Sequence, residues 1–322
     1  MTFSFPHISI STELEEEARQ FNAALEAQMT ALPDQWSFPP SVSRERRLQG
    51  LGAFPAPQMS PTAIMLSING PKAPIPLRLF KAPSGNPQGV LLHIHGGGFV
   101  FGSCAHQDPY LEALAASADI DIVSVEYRLA PEYPFPAGLE DCEAAALWIT
   151  GEGAKQHQWQ KILIGGESAG ANLALATMIR LRDSHKKAPF EGAILSAGFY
   201  DLNLTPSARN WGTRPLLLNT RDLELFAKHY VLRGPDKTHP EVSPLYAELH
   251  DLPPTIVTVG TEDPLLDDSL FLAARLQATN CEVHVEIYPN GCHVFQSFDL
   301  GLAKLSGESI DTFIKDRLGP RR

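Results

Sequence analysis

The chain has 322 residues, enough for one large α/β domain with an appended piece or for two average domains, and 43% of them are hydrophobic, ample for a buried core. Its formal charge of −11 argues against nucleic acid or an anionic membrane as partner, because both require clustered Lys and Arg. The densest basic groups, Arg44-Glu45-Arg46-Arg47 and the terminal Arg321-Arg322, read as solvated surface, and Cys104, Cys142, Cys281 and Cys292 lie too far apart for a CxxC or His/Cys ligand set and read as free thiols.

Met1 to Ile10 lacks both a basic n-region and a continuous apolar h-region, so no signal peptide is indicated. No stretch approaches the ~18 apolar residues that a membrane helix needs. The expectation is a soluble, cytoplasmic protein with no stable membrane insertion. Thr12 is placed to cap a helix, with Glu15 three residues on completing a capping box. Leu14, Ala18, Phe21, Leu25, Met29 and Leu32 then recur at spacings of three and four, giving one apolar stripe that Pro33 ends. From there to about Pro61 the chain is rich in Pro, Ser and Arg and reads as a connection.

The sheet is expected to begin near Ile64. Ile75, Leu77 and Leu79 alternate with polar or small residues, as in an antiparallel edge strand, whereas Val90 to His95 is apolar enough to be buried on both faces. Further strands are read at Ile120–Val125, Lys161–Ile164, Ala193–Leu195, Thr255–Val259 and Val283–Ile287. Helical stretches at Pro109–Ala116, Leu139–Thr150, Leu173–Arg182 and Ser269–Ala278 separate most of them. Such alternation implies an α/β fold with a mostly parallel central sheet covered by helices on both faces. The interval between Ser196 and Leu252 is too long for a simple crossover and contains a helical stretch from Arg221 to Val231. It reads as an insertion that packs with the N-terminal helix to form a cap. The expected division is residues 1–55 as the N-terminal part of a helical cap, 56–199 as the first part of the core, 200–247 as the cap insertion and 248–322 as the second part of the core.

Chemistry concentrates at a few of the strand ends. Gly166-Glu167-Ser168-Ala169-Gly170 lies between the strand at Lys161 and the helix that follows, so a serine stands at the apex of a sharp strand–turn–helix. At a helix N-terminus, backbone N–H groups can meet developing negative charge. A serine nucleophile needs a base, a group that orients the base and an oxyanion site, and in an open α/β sheet these gather beyond the carboxyl ends of the strands. The acid candidate is Asp263, directly after a buried strand; Glu262 is adjacent and spacing does not separate the two, while Asp267 and Asp268 read as caps of the next helix. Among eleven histidines, His293 is the one that follows the acid candidate in a post-strand loop. In His95-Gly96-Gly97-Gly98-Phe99 a strand ends in three glycines, and the amides of Gly97 and Gly98, with that of Ala169, could surround one oxygen. There is no GxGxxG and no P-loop lysine, so a dinucleotide or nucleotide site is not indicated.

Together, His95-Gly96-Gly97-Gly98-Phe99, Tyr127-Arg128-Leu129-Ala130-Pro131-Glu132 with Pro134-Phe135-Pro136-Ala137, and Gly166-Glu167-Ser168-Ala169-Gly170-Ala171-Asn172-Leu173-Ala174 resemble the hormone-sensitive-lipase-like (bacterial family IV) esterases of the α/β-hydrolase fold. The resemblance runs from about residue 88 to about 296, in the family's order and spacing. It implies a two-part helical cap, a serine hydrolase acting on esters with short to medium acyl chains, Ser168 as nucleophile, Asp263 as acid, His293 as base, and Gly97, Gly98 and Ala169 as oxyanion donors. Two stretches depart from the pattern. Gly291-Cys292-His293-Val294-Phe295 is one residue tighter than the family's usual form and has no Gly after the histidine, and Asn210 to Asn219 falls outside the resemblance.

The reading is therefore a carboxylic ester hydrolase taking a small-molecule ester, with no metal or organic cofactor and with a homodimer left open. Rivals are an acyltransferase or a small-molecule deacetylase or amidase using the same triad, and a non-catalytic ligand-binding module of the same fold, against which the presence of His293 argues. Of the neighbouring residues, Glu167 reads as a structural hydrogen-bonding group, Arg128 and Glu132 as an ion pair beneath the glycines, His93 as a satisfied core histidine and Cys292 as a packed thiol.

Overall fold

Alternation along the strands gives one sheet two cores. In the computed structural model, which describes residues 7–319, the strands are β1 (Ile64–Ile68), β2 (Ile75–Phe80), β3 (Gly89–Ile94), β4 (Asp121–Val125), β5 (Lys161–Glu167), β6 (Gly192–Ser196), β7 (Thr255–Glu262) and β8 (Val283–Cys292). The first six residues and Arg321-Arg322, on which two of the sequence expectations fall, lie outside the described residues. The strands form one sheet in the order β1-β2-β4-β3-β5-β6-β7-β8, in which β2 alone runs against the rest. Side chains two apart share a face, so Val90, Leu92 and Ile94 of β3 join one core while Leu91 joins the other. The same split places Ile164 opposite Leu163 on β5, and Leu195 opposite Ile194 on β6.

Helices close both faces. The first core is covered by α4 (Ala137–Ile149), α6 (Ala169–His185) and α9 (Leu266–Ala278), the second by α3 (Asp108–Ala118) and α10 (Gly301–Leu318). Each fully buried Leu or Ile in these layers contributes roughly 1.5–3 kcal/mol of apolar transfer. The chain leaves β3 towards β4 on one side and returns to β5 on the other, so the strand order reverses at β3 and a crevice opens beyond the carboxyl ends of β3 and β5. Both glycine-rich motifs end in that crevice.

The remaining helices are α1 (Thr12–Ala31), α2 (Pro40–Leu48), α5 (Glu152–His157), α7 (Pro206–Asn210) and α8 (Thr220–Tyr230). Several expectations change. Helix α1 is capped by Ser11, whose side chain accepts from the Leu14 amide, and not by a box at Thr12. The edge of the sheet is β1, with β2 buried behind it. The connection after Pro33 contains α2, which has no apolar stripe because Ser43 is its single buried residue, and which starts with a proline where the missing N–H is harmless. Helix α10 carries Leu302, Ile310, Phe313, Ile314 and Leu318 at helical spacing, a pattern interrupted by Gly307. The stripe of α1 does not meet the Arg221–Val231 segment. Ala18 and Leu25 are buried with Tyr288, Phe295, Leu300 and Leu302, Phe21 meets Phe298 with ring centroids 4.8 Å apart, and the Asn22 amide donates to the Asn290 carbonyl at 2.9 Å.

Helix α1 is therefore built onto β8 and α10, and a deletion through residue 35 is expected to uncover the core instead of merely altering the pocket. Leu25, 3% exposed, is the sharpest probe. Leu25→Ala should lower the unfolding free energy in urea by about 2–4 kcal/mol. A change under about 0.5 kcal/mol would mean that α1 rides loosely on the sheet.

Candidate active site

The turn from β5 into α6 holds Ser168 at φ 55°, ψ −120°, a region that L residues rarely occupy. A side chain at Gly166 or Gly170 would run into the carbonyl oxygen of Ile94, so glycines at both positions let the turn sit against β3. The Ser168 amide donates to the Ser196 carbonyl at 2.9 Å, which fixes the apex across β6. Its hydroxyl lies 3.0 Å from Nε2 of His293.

His293 follows β8 directly, because that strand runs on to Cys292, beyond the expected end at Ile287. Strands β7 and β8 shift register between Gly260 and Glu262, and Glu262 ends opposite Cys292. The next residue on each strand is then Asp263 and His293, at the same level of the sheet. A side chain on Gly260 would overlap the Gly291 backbone, so this bulge also depends on a glycine. His293 Nδ1 is 3.0 and 3.1 Å from the two Asp263 oxygens, and a carboxylate only accepts, so Nδ1 carries the proton and Nε2 presents a lone pair to Ser168. Asp263 is 1% exposed and also accepts from the Leu265 amide at 2.8 Å. Glu262 turns away and pairs with Arg214, which also holds Glu26 of α1. Val294, standing where the family pattern has Gly, adopts φ 47°, ψ 40°, left-handed backbone that a β-branched residue takes only under constraint.

After β3 the chain passes through Gly97 at φ 116° and Gly98 at φ 62°. Side chains there would strike the Phe101 carbonyl and the Phe226 ring. Among the described residues, none of the amides of Gly97, Gly98 and Ala169 donates to another protein group. Glu167 clamps this loop from below. Its carboxylate accepts from the Gly96 amide at 2.6 Å and from Gln107 at 3.0 Å, and its other oxygen faces His93 Nε2 at 2.9 Å, while His93 Nδ1 meets Ser124. Burial works against this carboxylate, but the His93 ring and the Gly96 N–H more than offset it and hold Glu167 below the usual range.

Arg128 and Glu132 do not pair with each other. Arg128 binds Asp141 and Glu140, whereas Glu132 is held by Arg44 of α2, which also donates to the carbonyls of Val100 and Ala130. Arg44 thus fastens α2 to the segment beyond the glycines, a pairing across 88 residues with no local signal. Asp267 and Asp268 cap the β6–α7 loop and not α9: Asp268 accepts from the amides of Tyr200 and Asp201, and Asp267 from that of Ser207. Cys292 is buried, its thiol pushed up to about 12 by burial and then by the Asp263 charge. All four cysteines are free.

These groups open on a cavity of about 900 Å³ lined by Ser168, His293, Gly97 and Gly98, with apolar walls from Met29, Phe54, Leu217, Phe226 and Phe298. Such a volume suits a small organic ligand. Among the described residues no helix is long and apolar enough to cross a membrane.

Residues 91–297 match the model of an α/β-hydrolase-fold family. The chain is 34% identical over 211 residues to an esterase of Acinetobacter venetianus, an alignment covering 65% of this chain and 68% of that one. It is 33% identical over 266 residues to the carboxylic ester hydrolase LipN of Mycobacterium tuberculosis, covering 79% and 70%. Among solved structures, a hormone-sensitive lipase from a metagenome library superposes with a TM-score of 0.81 at 29% identity, covering 94% of this chain and 98% of that one.

Proposed function

The chain belongs to the hormone-sensitive-lipase-like family of α/β-hydrolase-fold carboxylic ester hydrolases, and from that premise we propose that it hydrolyses short- to medium-chain esters through Ser168, His293 and Asp263 and an acyl-enzyme intermediate. The observation that carries the reading is the unbroken chain from the Ser168 hydroxyl to His293 Nε2 at 3.0 Å and from Nδ1 to Asp263 at 3.0 Å. His293 takes the serine proton as Oγ attacks the ester carbonyl. The oxyanion that forms is held by the amides of Gly97, Gly98 and Ala169, and His293 returns the proton to the departing alcohol. Water, deprotonated by the same imidazole, then releases the acid.

We place the cap in residues 1–55 and 200–247, around a core of 56–199 and 248–322. This division is supported by the Trp36 indole, which donates to Asp222 at 2.6 Å, and by the Arg221–Asp34 pair at 2.7 Å, although α1 itself leans on the core. Every residue of the triad and of the oxyanion site comes from one copy of the chain, so the reading requires no second subunit.

A panel of p-nitrophenyl esters from acetate to dodecanoate tests this reading. Turnover should be greatest among the short and medium chains and unchanged by EDTA. No turnover across the panel, or loss with EDTA that a divalent ion restores, would remove the serine mechanism.

A further inference from the structure

The wall of the cavity formed by α2 carries two arginines, Arg46 and Arg47. The cavity's carboxylates are all engaged: Asp34 by Arg221, Glu167 by the Gly96 amide and the His93 ring, and Asp299 by Lys304. Asp222 accepts from the Trp36 indole, the Gln35 amide and the Asn219 amide. Arg46 and Arg47, by contrast, form no ion pair among the described residues. Arg46 reaches the Leu51 carbonyl at 3.4 Å and lies over the Phe38 ring.

Arg47 is the better placed of the two. It is half-buried, its guanidinium lies 4.5 Å from the centre of the Phe101 ring, and it makes one hydrogen bond, to Gln35 Oε1 at 3.1 Å. Of the five N–H donors that a guanidinium carries, the other four meet no protein acceptor among the described residues. Phe101 belongs to the turn that closes on the oxyanion loop, its amide donating to the Gly97 carbonyl at 2.8 Å. Phe101 is held edge-on by Phe226 and also touches Trp36, so the platform under the cation is rigid. Burial pushes the guanidinium down to about 10, Asp222 opposes that shift, and Arg47 remains charged at neutral pH. The nearby His106 has one ring nitrogen bonded to Ser103 and the other buried without a partner; burial, then the neighbouring His95 and Arg47, push it down to about 4, so it is neutral and adds no competing charge.

We propose that Arg47 is a specificity determinant that receives a carboxylate carried by the substrate, so that the preferred esters bear a single negative charge on the acyl or alcohol part remote from the scissile bond. The proposal rests on the ester-hydrolase reading of the Ser168 site. A planar carboxylate matches the guanidinium fork, and the stacked, half-buried cation is already ordered for it. A doubly charged phosphate fits less well, since Asp34, Asp222 and Glu167 line the same cavity. In a chain of net charge −11, a localised cation inside the pocket also sorts substrates that the surface as a whole does not attract.

The test compares matched pairs on the purified full chain: the p-nitrophenyl half-ester of adipate against p-nitrophenyl hexanoate, and 4-butyryloxybenzoate against 4-butyryloxybenzamide. Each enzyme's kcat/KM on the neutral member is its own reference for folding and chemistry. In Arg47→Gln the anionic-to-neutral ratio should fall roughly ten- to hundredfold in at least one pair, through KM, as loss of a charge-assisted hydrogen bond predicts. Arg47→Lys should recover part of it. Ratios in both pairs that are the same in Arg47→Gln and wild type overturn the anion subsite and leave the esterase reading intact. Failure of the wild type on all four esters, anionic and neutral, removes both.

Discussion

Ser168→Ala is expected to lose ~10⁴–10⁶ of turnover on any ester the wild type hydrolyses, while unfolding at nearly the same denaturant concentration. The two halves of that expectation come from different parts of the turn. In the proposed mechanism catalysis needs Oγ, the group that lies 3.0 Å from His293 Nε2. The backbone at φ 55° is imposed by Gly166, Gly170 and the bond from the Ser168 amide to Ser196, none of which involves the hydroxyl. Alanine is no worse than serine at that angle, so the strain of the elbow is the same in both. Retention of more than a few per cent of activity by the purified variant would show that another group attacks the ester.

Asp263→Asn is expected to cost roughly 10³–10⁴ in kcat with little change in KM. The asparagine would keep the shape but turn an N–H towards His293 Nδ1, favouring the tautomer whose proton sits on Nε2 and blocks Ser168. Glu262→Gln should lose less than about tenfold, because Glu262 is occupied by Arg214 and lies on the other side of the strand end. Its partner links it to Glu26 of α1, so its effect should appear mainly as a small loss of stability. If the two variants rank in the opposite order, the orienting acid is Glu262.

What could be read from the sequence was local. Strands β3 to β8 show as apolar runs, and the glycines around Ser168 and after His95 mark turns that few other residues permit. Asp263 and His293 stood out because each follows a strand, although their juxtaposition depends on the Gly260 bulge and on five more residues of β8 than the apolar pattern indicated. The parts that stayed hidden are held by partners far apart in the chain. Proximity in sequence pairs Arg128 with Glu132, four residues away, but its partners are Asp141 and Glu140 across a turn, and Glu132 belongs to Arg44. Helix α2 has almost no buried residue to give it a period, so its hold on the segment beyond the glycines through Arg44 and its arginines in the cavity wall leave no trace in hydrophobic pattern. The stripe on α1 was visible, but a stripe names no partner, and β8 with α10 supplied it.

With Ser168 as the proposed nucleophile, diethyl p-nitrophenyl phosphate should phosphorylate that serine and no other group. One diethylphosphoryl group per chain is expected, mapped by peptide mass spectrometry to the fragment containing Ser168, with activity lost in step with labelling and no label on Ser168→Ala. Complete inactivation with the label elsewhere, or with Ser168 unmodified, would contradict it.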